Sequence, residues 1–147
     1  MKGATPVFVA IVALVMHAAL MAAYVSAPKC EKEVSALVCV DQRRLEQDPF
    51  RHVRVGFADD GYDGQAYYVI AQHPWRRHDA VYIDKPAYRH LRLLYPTLCW
   101  LLSGGDPVAL FWAMPGVSLL AIAGVAGLGA SFAIRFGRSP WWGLLPP

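Results

Sequence analysis

Three carboxylates, Asp59, Asp60 and Asp63, fall in or beside the run D-G-Y-D-G-Q, residues Asp60 to Gln65. Further along comes K-P-A-Y-R-H-L-R-L-L-Y-P, Lys85 to Pro96, which carries Arg89 and Arg92. A carboxylate held at a surface can act as a general base toward a hydroxyl. Two guanidiniums can clamp a phosphate through paired hydrogen bonds. Each feature also has a plainer reading. Asp60 and Asp63 have the spacing of an N-cap and an N3 residue opening a helix over 62–72, where acidic side chains suit the helix dipole. Arg89 and Arg92, three apart, share a helix face and can reach toward lipid headgroups beside an apolar stripe. A Mg²⁺ or Mn²⁺ site completed by residues elsewhere is a third use for the acidic cluster. A calcium loop is excluded, because Gly61 and Ile70 stand where its ligands should be.

The remaining reactive residues are scattered. His73, His78 and His90 lack metal-ligand spacing and read as loop residues. His17 lies in an apolar run, where a helix-packing hydrogen bond is the expected role. Cys30 and Cys39 flank the short segment 31–38, and an oxidising compartment would permit a bridge worth ~2–3 kcal/mol. Cys99, in an apolar stretch, is expected to be unpaired. The sequence contains no C-x-x-C, no nucleophile elbow and no glycine-rich phosphate loop.

The elements that would position these residues belong to a membrane protein. The chain is 56% hydrophobic and 17% charged, against about 45–50% and about 25% in average globular chains. Residues 6–27 and 107–134 carry no charge, and each is long enough for a spanning helix. Between them, residues 28–90 hold ten basic and ten acidic side chains, so no basic face is available for nucleic acid. The first run is longer than the ~7–15-residue core of a secretory signal, and Pro28 follows the only cleavage-like site, so an uncleaved signal anchor is expected.

Topology follows from the flanking charges. Lys2 marks residues 1–5 as cytoplasmic, and Arg135 and Arg138 mark 135–147 in the same way. Residues 28–90 then form an extracytoplasmic loop of a cytoplasmic-membrane protein. Residues 91–104 are too short to cross and read as one interfacial amphipathic helix, with Leu91, Leu94, Leu98 and Leu101 on one face and Tyr95 and Trp100 at headgroup level. The fold class is therefore all-α: two transmembrane helices and an outside loop carrying short and interfacial helices. Ser139-Pro140-Trp141-Trp142 looks like the entry to a third span, which makes the chain a fragment of a larger polytopic protein by expectation. Ala123, Gly127 and Ser131 form a small-residue stripe that calls for a closely packed helix partner, in this chain or another. A second span of roughly 28 residues, about 42 Å long, exceeds a core of about 30 Å and implies tilt or protrusion.

The order of parts resembles the N-terminal portion of GT-C type integral-membrane glycosyltransferases that use polyprenyl-phosphate sugars. The resemblance is closest to bacterial members with a Y-D-G-Q-x-Y-Y loop and a Y-R-x-x-R-x-x-Y-P helix. The matching pieces are Tyr62–Tyr68, Asp84–Pro96 and Arg135–Trp142, so it covers most of the chain from about Val53 onward. It departs at Ala66, where an aromatic residue is expected, and at His90-Leu91. The resemblance implies that Asp63, with Asp60 or Asp59 as second choice, activates an acceptor hydroxyl. It implies further that Arg89 and Arg92, with Tyr67 and Gln65 nearby, contact the donor. The implied partners are membrane lipids and a polyprenyl-phosphate-linked sugar, with a divalent cation as an optional cofactor. The alternative is a small non-catalytic adaptor that packs on a larger membrane complex through Ala123, Gly127 and Ser131. A transporter subunit ranks below both, because no charged or broken span marks a pathway.

Overall fold

A computed structural model describes residues 5–58, 62–76, 82–83 and 85–145. Of the described residues 70% are helical, 3₁₀ turns included. Among the described residues five α-helices run in order: α1 (Pro6–Val25), α2 (Asp63–Gln72), α3 (Pro86–His90), α4 (Leu94–Ser103) and α5 (Pro107–Arg135). Short 3₁₀ turns connect them, over Pro28–Cys30, Val34–Val38, Gln42–Arg44 and Asp48–Phe50. The all-α expectation needs one correction. Two two-residue strands, β1 (Val40–Asp41) and β2 (Gly56–Phe57), pair in parallel. Parallel strands require a long crossover, and residues 42–55 supply it with two of the 3₁₀ turns.

Helices α1 and α5 are both long and apolar enough to cross a membrane. Only 11% and 17% of their most apolar stretches are buried within the protein. The core helix of a soluble domain would be mostly covered, so the two helices support a membrane location. α1 starts where Thr5 Oγ1 accepts from the Phe8 amide at 3.3 Å. It ends at Val25, two residues short of the expected 27. α5 begins at Pro107, with Asp106 accepting from the Val108 and Ala109 amides at 3.0 and 2.7 Å. That is an Asp N-cap with proline at the first helical position, where its missing N–H is harmless. α5 closes with Gly137 in the left-handed region (φ 67°), and the Arg138 amide folds back on the Ala133 carbonyl at 2.8 Å.

The chain divides into two compact units, Ala23–Val117 and the pair Met1–Ala22 with Ser118–Pro147. In the second unit, Val9 and Ala13 of α1 bury against Ala126 and Ala130, with Ile122 beside them. A Cβ at Gly127 would stand 3.3 Å from Ala10 Cβ. The small-residue stripe therefore has a partner inside the chain, and that partner is α1. Its register differs from the expected one: Ala126 and Ala130 are buried, whereas Ser131 is exposed and donates to its own helix at the Gly127 carbonyl. His17 likewise bonds within α1, to the Ala13 carbonyl at 2.8 Å, rather than to a neighbouring helix. The residues read as a third-span entry form a 3₁₀ helix, Pro140–Leu144, with Trp141 edge-on to Phe8 at 5.9 Å.

The unit Ala23–Val117 holds the main core. Val38, Val40, Phe50, Ala66, Tyr68, Ile70, Cys99, Leu110 and Met114 are all part of it. At its centre Tyr68 is stacked between Phe50 (6.2 Å) and Phe111 (5.4 Å). The Tyr68 hydroxyl donates to the Pro107 carbonyl at 3.1 Å, so the phenol is both buried and satisfied. Burial, and behind it the charge of Asp106, pushes its pKa well above the ordinary phenol value. Ala66 is only 1% exposed.

The expected interfacial helix over 91–104 occupies only part of that range, Leu94–Ser103. α3 ends at His90, a turn covers Leu91 and Arg92, and α4 starts only at Leu94. Pro96 explains the late start. Within the first turn of a helix its missing N–H costs nothing, whereas further in it would break the ladder. The leucine stripe is uncovered, with Leu91, Leu94 and Leu101 all more than half exposed, while Pro96 and Cys99 face inward.

Candidate functional site

The N-terminal end of α2 is set by the segment before β1. The Val34–Val38 turn closes with Cys39 in the left-handed region (φ 55°), and the Cys39 carbonyl accepts from the Tyr62 amide at 3.1 Å. Tyr62 is the N-cap and Asp63 the first helical residue. The expected cap by Asp60 is therefore displaced by Tyr62. Asp59 and Asp60 lie outside the described residues. A close approach explains the glycine of D-G-Q, Gly64. A Cβ there would stand 2.5 Å from the Val38 carbonyl oxygen, so only glycine lets the helix approach so closely.

Asp63 and Tyr67 are one helical turn apart and lie on the same face of α2. Facing them is Arg89 of α3, whose Nη1 donates to Asp63 Oδ1 at 2.8 Å. The Arg89 side chain is 12% exposed and that of Asp63 60%. The guanidinium is thus nearly covered while the carboxylate looks outward. α3 opens at Lys85, which adopts a left-handed conformation (φ 48°) before Pro86, and this unusual start aims the five-residue helix at α2. Arg92 lies just past α3 in the turn, so the expected shared helix face with Arg89 is not present. Arg92 reaches the same patch by another route. Its guanidinium lies 4.7 Å over the Tyr88 ring and donates to the Tyr88 hydroxyl. A hydrogen bond with Tyr67, and then the Tyr88 phenol, raises the Arg92 pKa further above its already high ordinary value. Tyr67 meets Tyr95 edge-on at 5.7 Å, and Tyr95 donates to the Met114 carbonyl at 3.0 Å.

The structure therefore brings together Asp63, Tyr67, Arg89 and Arg92 of the expected residues, and adds Tyr88 and Tyr95. Both tyrosines stand in the Y-R-x-x-R-x-x-Y-P run, so the signal for them was the motif itself rather than the arginines alone. Gln65 faces elsewhere. It is buried at 8% exposure and its Oε1 accepts from the Asp41 amide at 3.3 Å. The motif glutamine thus ties α2 to β1, and a donor contact by Gln65 is not what its position offers. Asp41 itself accepts four bonds from Arg43, one from the backbone amide (2.9 Å) and three from the guanidinium. The side-chain bonds first, then the backbone bond, hold the Asp41 carboxyl below the usual carboxylate range.

Two further expectations meet the structure here. Cys30, Cys39 and Cys99 are all present as thiols, so a Cys30–Cys39 bridge is not formed in this structure. Cys30 is instead buried beside Ala36 and Val55, with Tyr24 and Phe57 packed around them. Cys99 is buried in the main core, and burial raises its pKa to about 11. Among the described residues no three His, Cys, Asp or Glu side chains gather as a metal site. A Mg²⁺ or Mn²⁺ ion would have to recruit Asp59 or Asp60 to join Asp63.

Chemically, the patch is one outward-looking carboxylate backed by a covered arginine, with a second arginine and three phenols around it. It suits an anion with hydroxyl groups close by. No protein-family model, curated protein or solved structure matches the chain.

Proposed function

We propose that the chain carries the acceptor-activating and phosphate-holding part of a membrane glycosyltransferase that uses a polyprenyl-phosphate sugar as donor. The observation that carries the reading is the 2.8 Å contact between Asp63 and Arg89, with Arg92 held in the same patch. A base and a phosphate clamp need to be neighbours, because the bond made and the bond broken share one carbon. In the proposed reaction the acceptor hydroxyl attacks the anomeric carbon and gives its proton to Asp63. The bond from that carbon to the phosphate oxygen breaks, and the polyprenyl phosphate leaves with the electron pair. Arg89 and Arg92 hold the leaving phosphate through charge-assisted hydrogen bonds.

The pairing also suggests how the base is kept ready. Without donor, Arg89 neutralises Asp63. The monoanionic phosphodiester of the donor competes for the same guanidinium, and the carboxylate is then released toward the acceptor. The two apolar helices support a membrane setting for a lipid-linked donor; the reading itself puts residues 28–90 on the extracytoplasmic side of the cytoplasmic membrane. The adaptor alternative rested on a small-residue stripe in need of a partner, and α1 already lies against Gly127.

The test is transfer of radiolabel from polyprenyl-phosphate-linked sugars in membranes that contain the full chain. Asp63→Asn should lose transfer while membrane insertion stays the same. Undiminished transfer by Asp63→Asn would remove the assignment.

A further inference from the structure

A second site lies on the same unit and shares no residue with the Asp63 patch. It is a groove of ≈ 640 Å³ between the segment that follows α1 and the first turns of α5. Its rim is basic, with Lys32, Arg51, His52 and Arg54 set against a single acidic residue, Glu33. Its floor is apolar and comes from α5, where Val108, Phe111 and Trp112 share one face at i, i+3 and i+4. Trp112 is 67% exposed although it is large and apolar, and nothing among the described residues covers it.

The rim cations differ in how firmly they are held. Arg54 is fixed, with Nη1 on Glu33 at 3.0 Å and its backbone amide on buried Ser35 at 3.2 Å. Arg51 pairs with Asp48 at 3.3 Å, but both side chains are more than two-thirds exposed, and such pairs are weak. It can exchange Asp48 for a stronger anion. Lys32 is exposed and makes no ion pair among the described residues. The rim therefore offers two cations to a ligand and one acid already neutralised by Arg54.

We infer that this groove binds an anionic phospholipid, with the headgroup phosphate between Lys32 and Arg51 and an acyl chain along Val108, Phe111 and Trp112. Charge complementarity selects an anion. The apolar floor selects one that carries a hydrocarbon tail, because inorganic phosphate would leave Trp112 in water. The position on α5 agrees with this. Trp112 is five residues beyond Pro107, about 7.5 Å along the helix axis, which is the boundary between headgroups and acyl chains for a helix that enters the headgroup layer at Pro107. The inference needs α5 to lie in a membrane but does not need the transferase reading. Loss of one therefore leaves the other standing.

The experiment uses the full chain reconstituted in phosphatidylcholine vesicles doped with brominated phosphatidylglycerol or, separately, brominated phosphatidylcholine. Tryptophan quenching is read for the wild type, for Trp112→Phe, and for the double variant Lys32→Gln with Arg51→Gln. Each cation near an anionic headgroup is worth roughly a five-fold change in lipid affinity. Brominated phosphatidylglycerol should therefore quench at a lipid fraction roughly 25-fold below brominated phosphatidylcholine. That preference should vanish in the double variant, and the preferentially quenched component should be missing in Trp112→Phe. Equal quenching by the two lipids, or a preference that survives in the double variant, overturns the site. Inorganic phosphate that abolishes the preference, where chloride of equal ionic strength does not, overturns the lipid as occupant. Both substituted cations are exposed, so unchanged helicity by circular dichroism is expected of every variant.

Discussion

Replacing Gly64 with alanine should damage both the fold and the site, and the size of the effect follows from one distance. The added Cβ would stand 2.5 Å from the Val38 carbonyl oxygen and 3.2 Å from its carbonyl carbon. An ordinary contact begins at about 3.4 Å, so the start of α2 has to recede by about 0.9 Å. The opposing group is backbone and cannot rotate away. Overpacking of this kind costs typically ~1–3 kcal/mol, and a backbone clash this close belongs at the upper end. Alanine returns at most ~1 kcal/mol through helix propensity, which leaves a net loss of about 2 kcal/mol. For a unit of this size that is a fall in Tm of roughly 8–16 °C. Asp63 moves with the helix start and drifts out of hydrogen-bond reach of Arg89, and a displacement near 1 Å can cost ~100-fold in rate. The assay is thermal unfolding in detergent followed by circular dichroism, alongside label transfer in membranes. Gly116→Ala supplies the contrast, because its Cβ meets nothing within 4 Å and the substitution should be neutral or stabilising. A Gly64→Ala protein that melts at or above the wild-type temperature would refute the close-approach account of the motif.

Other consequences are smaller and separable. Tyr68→Phe keeps the stacking with Phe50 and Phe111 but removes the hydroxyl's bond to the Pro107 carbonyl, a loss of about 1 kcal/mol measurable by denaturant unfolding. The Asp41 carboxyl has a lowered pKa in the folded state, so its stabilisation is complete above the unfolded value of about 3.9 and is lost as pH falls through the folded value. Asp41→Asn should therefore flatten the loss of stability below about pH 4, as read from unfolding midpoints at neutral and acid pH. Cys99 is shifted the other way. With its pKa raised from about 8.5 to about 11, its contribution is complete below the unfolded value and is lost as pH rises through about 11. Its alkylation by iodoacetamide should stay slow at pH 8 in the folded protein, and rapid labelling there would contradict its burial.

Much of the frame could be read from residue types alone. Two uncharged runs announce two apolar helices whatever surrounds them, and Asp106-Pro107 marks the start of α5 through a cap and a proline that act locally. The motifs also put Asp63, Arg89, Arg92 and Tyr67 into two short segments, and the structure brings these four side chains together. What the sequence could not state was direction. Gln65 and Tyr67 are two residues apart in one motif, yet one is buried against Asp41 and the other faces Arg92, since a helix turns about 100° per residue and only the core decides which face is covered. Arg89 and Arg92 look like one helical pair, but Pro96 lets α4 begin only at Leu94, and Arg92 is left in a turn that reaches the site through Tyr88. The small-residue stripe was legible as a packing surface, while its register one position away, on Ala126 and Ala130, was set by where Val9 and Ala13 of α1 could nest. Local chemistry determines which segments become helices and where the charges lie. Long-range packing decides which segments meet, because the contacts of Asp63 with Arg89 and of Tyr67 with Tyr95 join residues that are far apart along the chain.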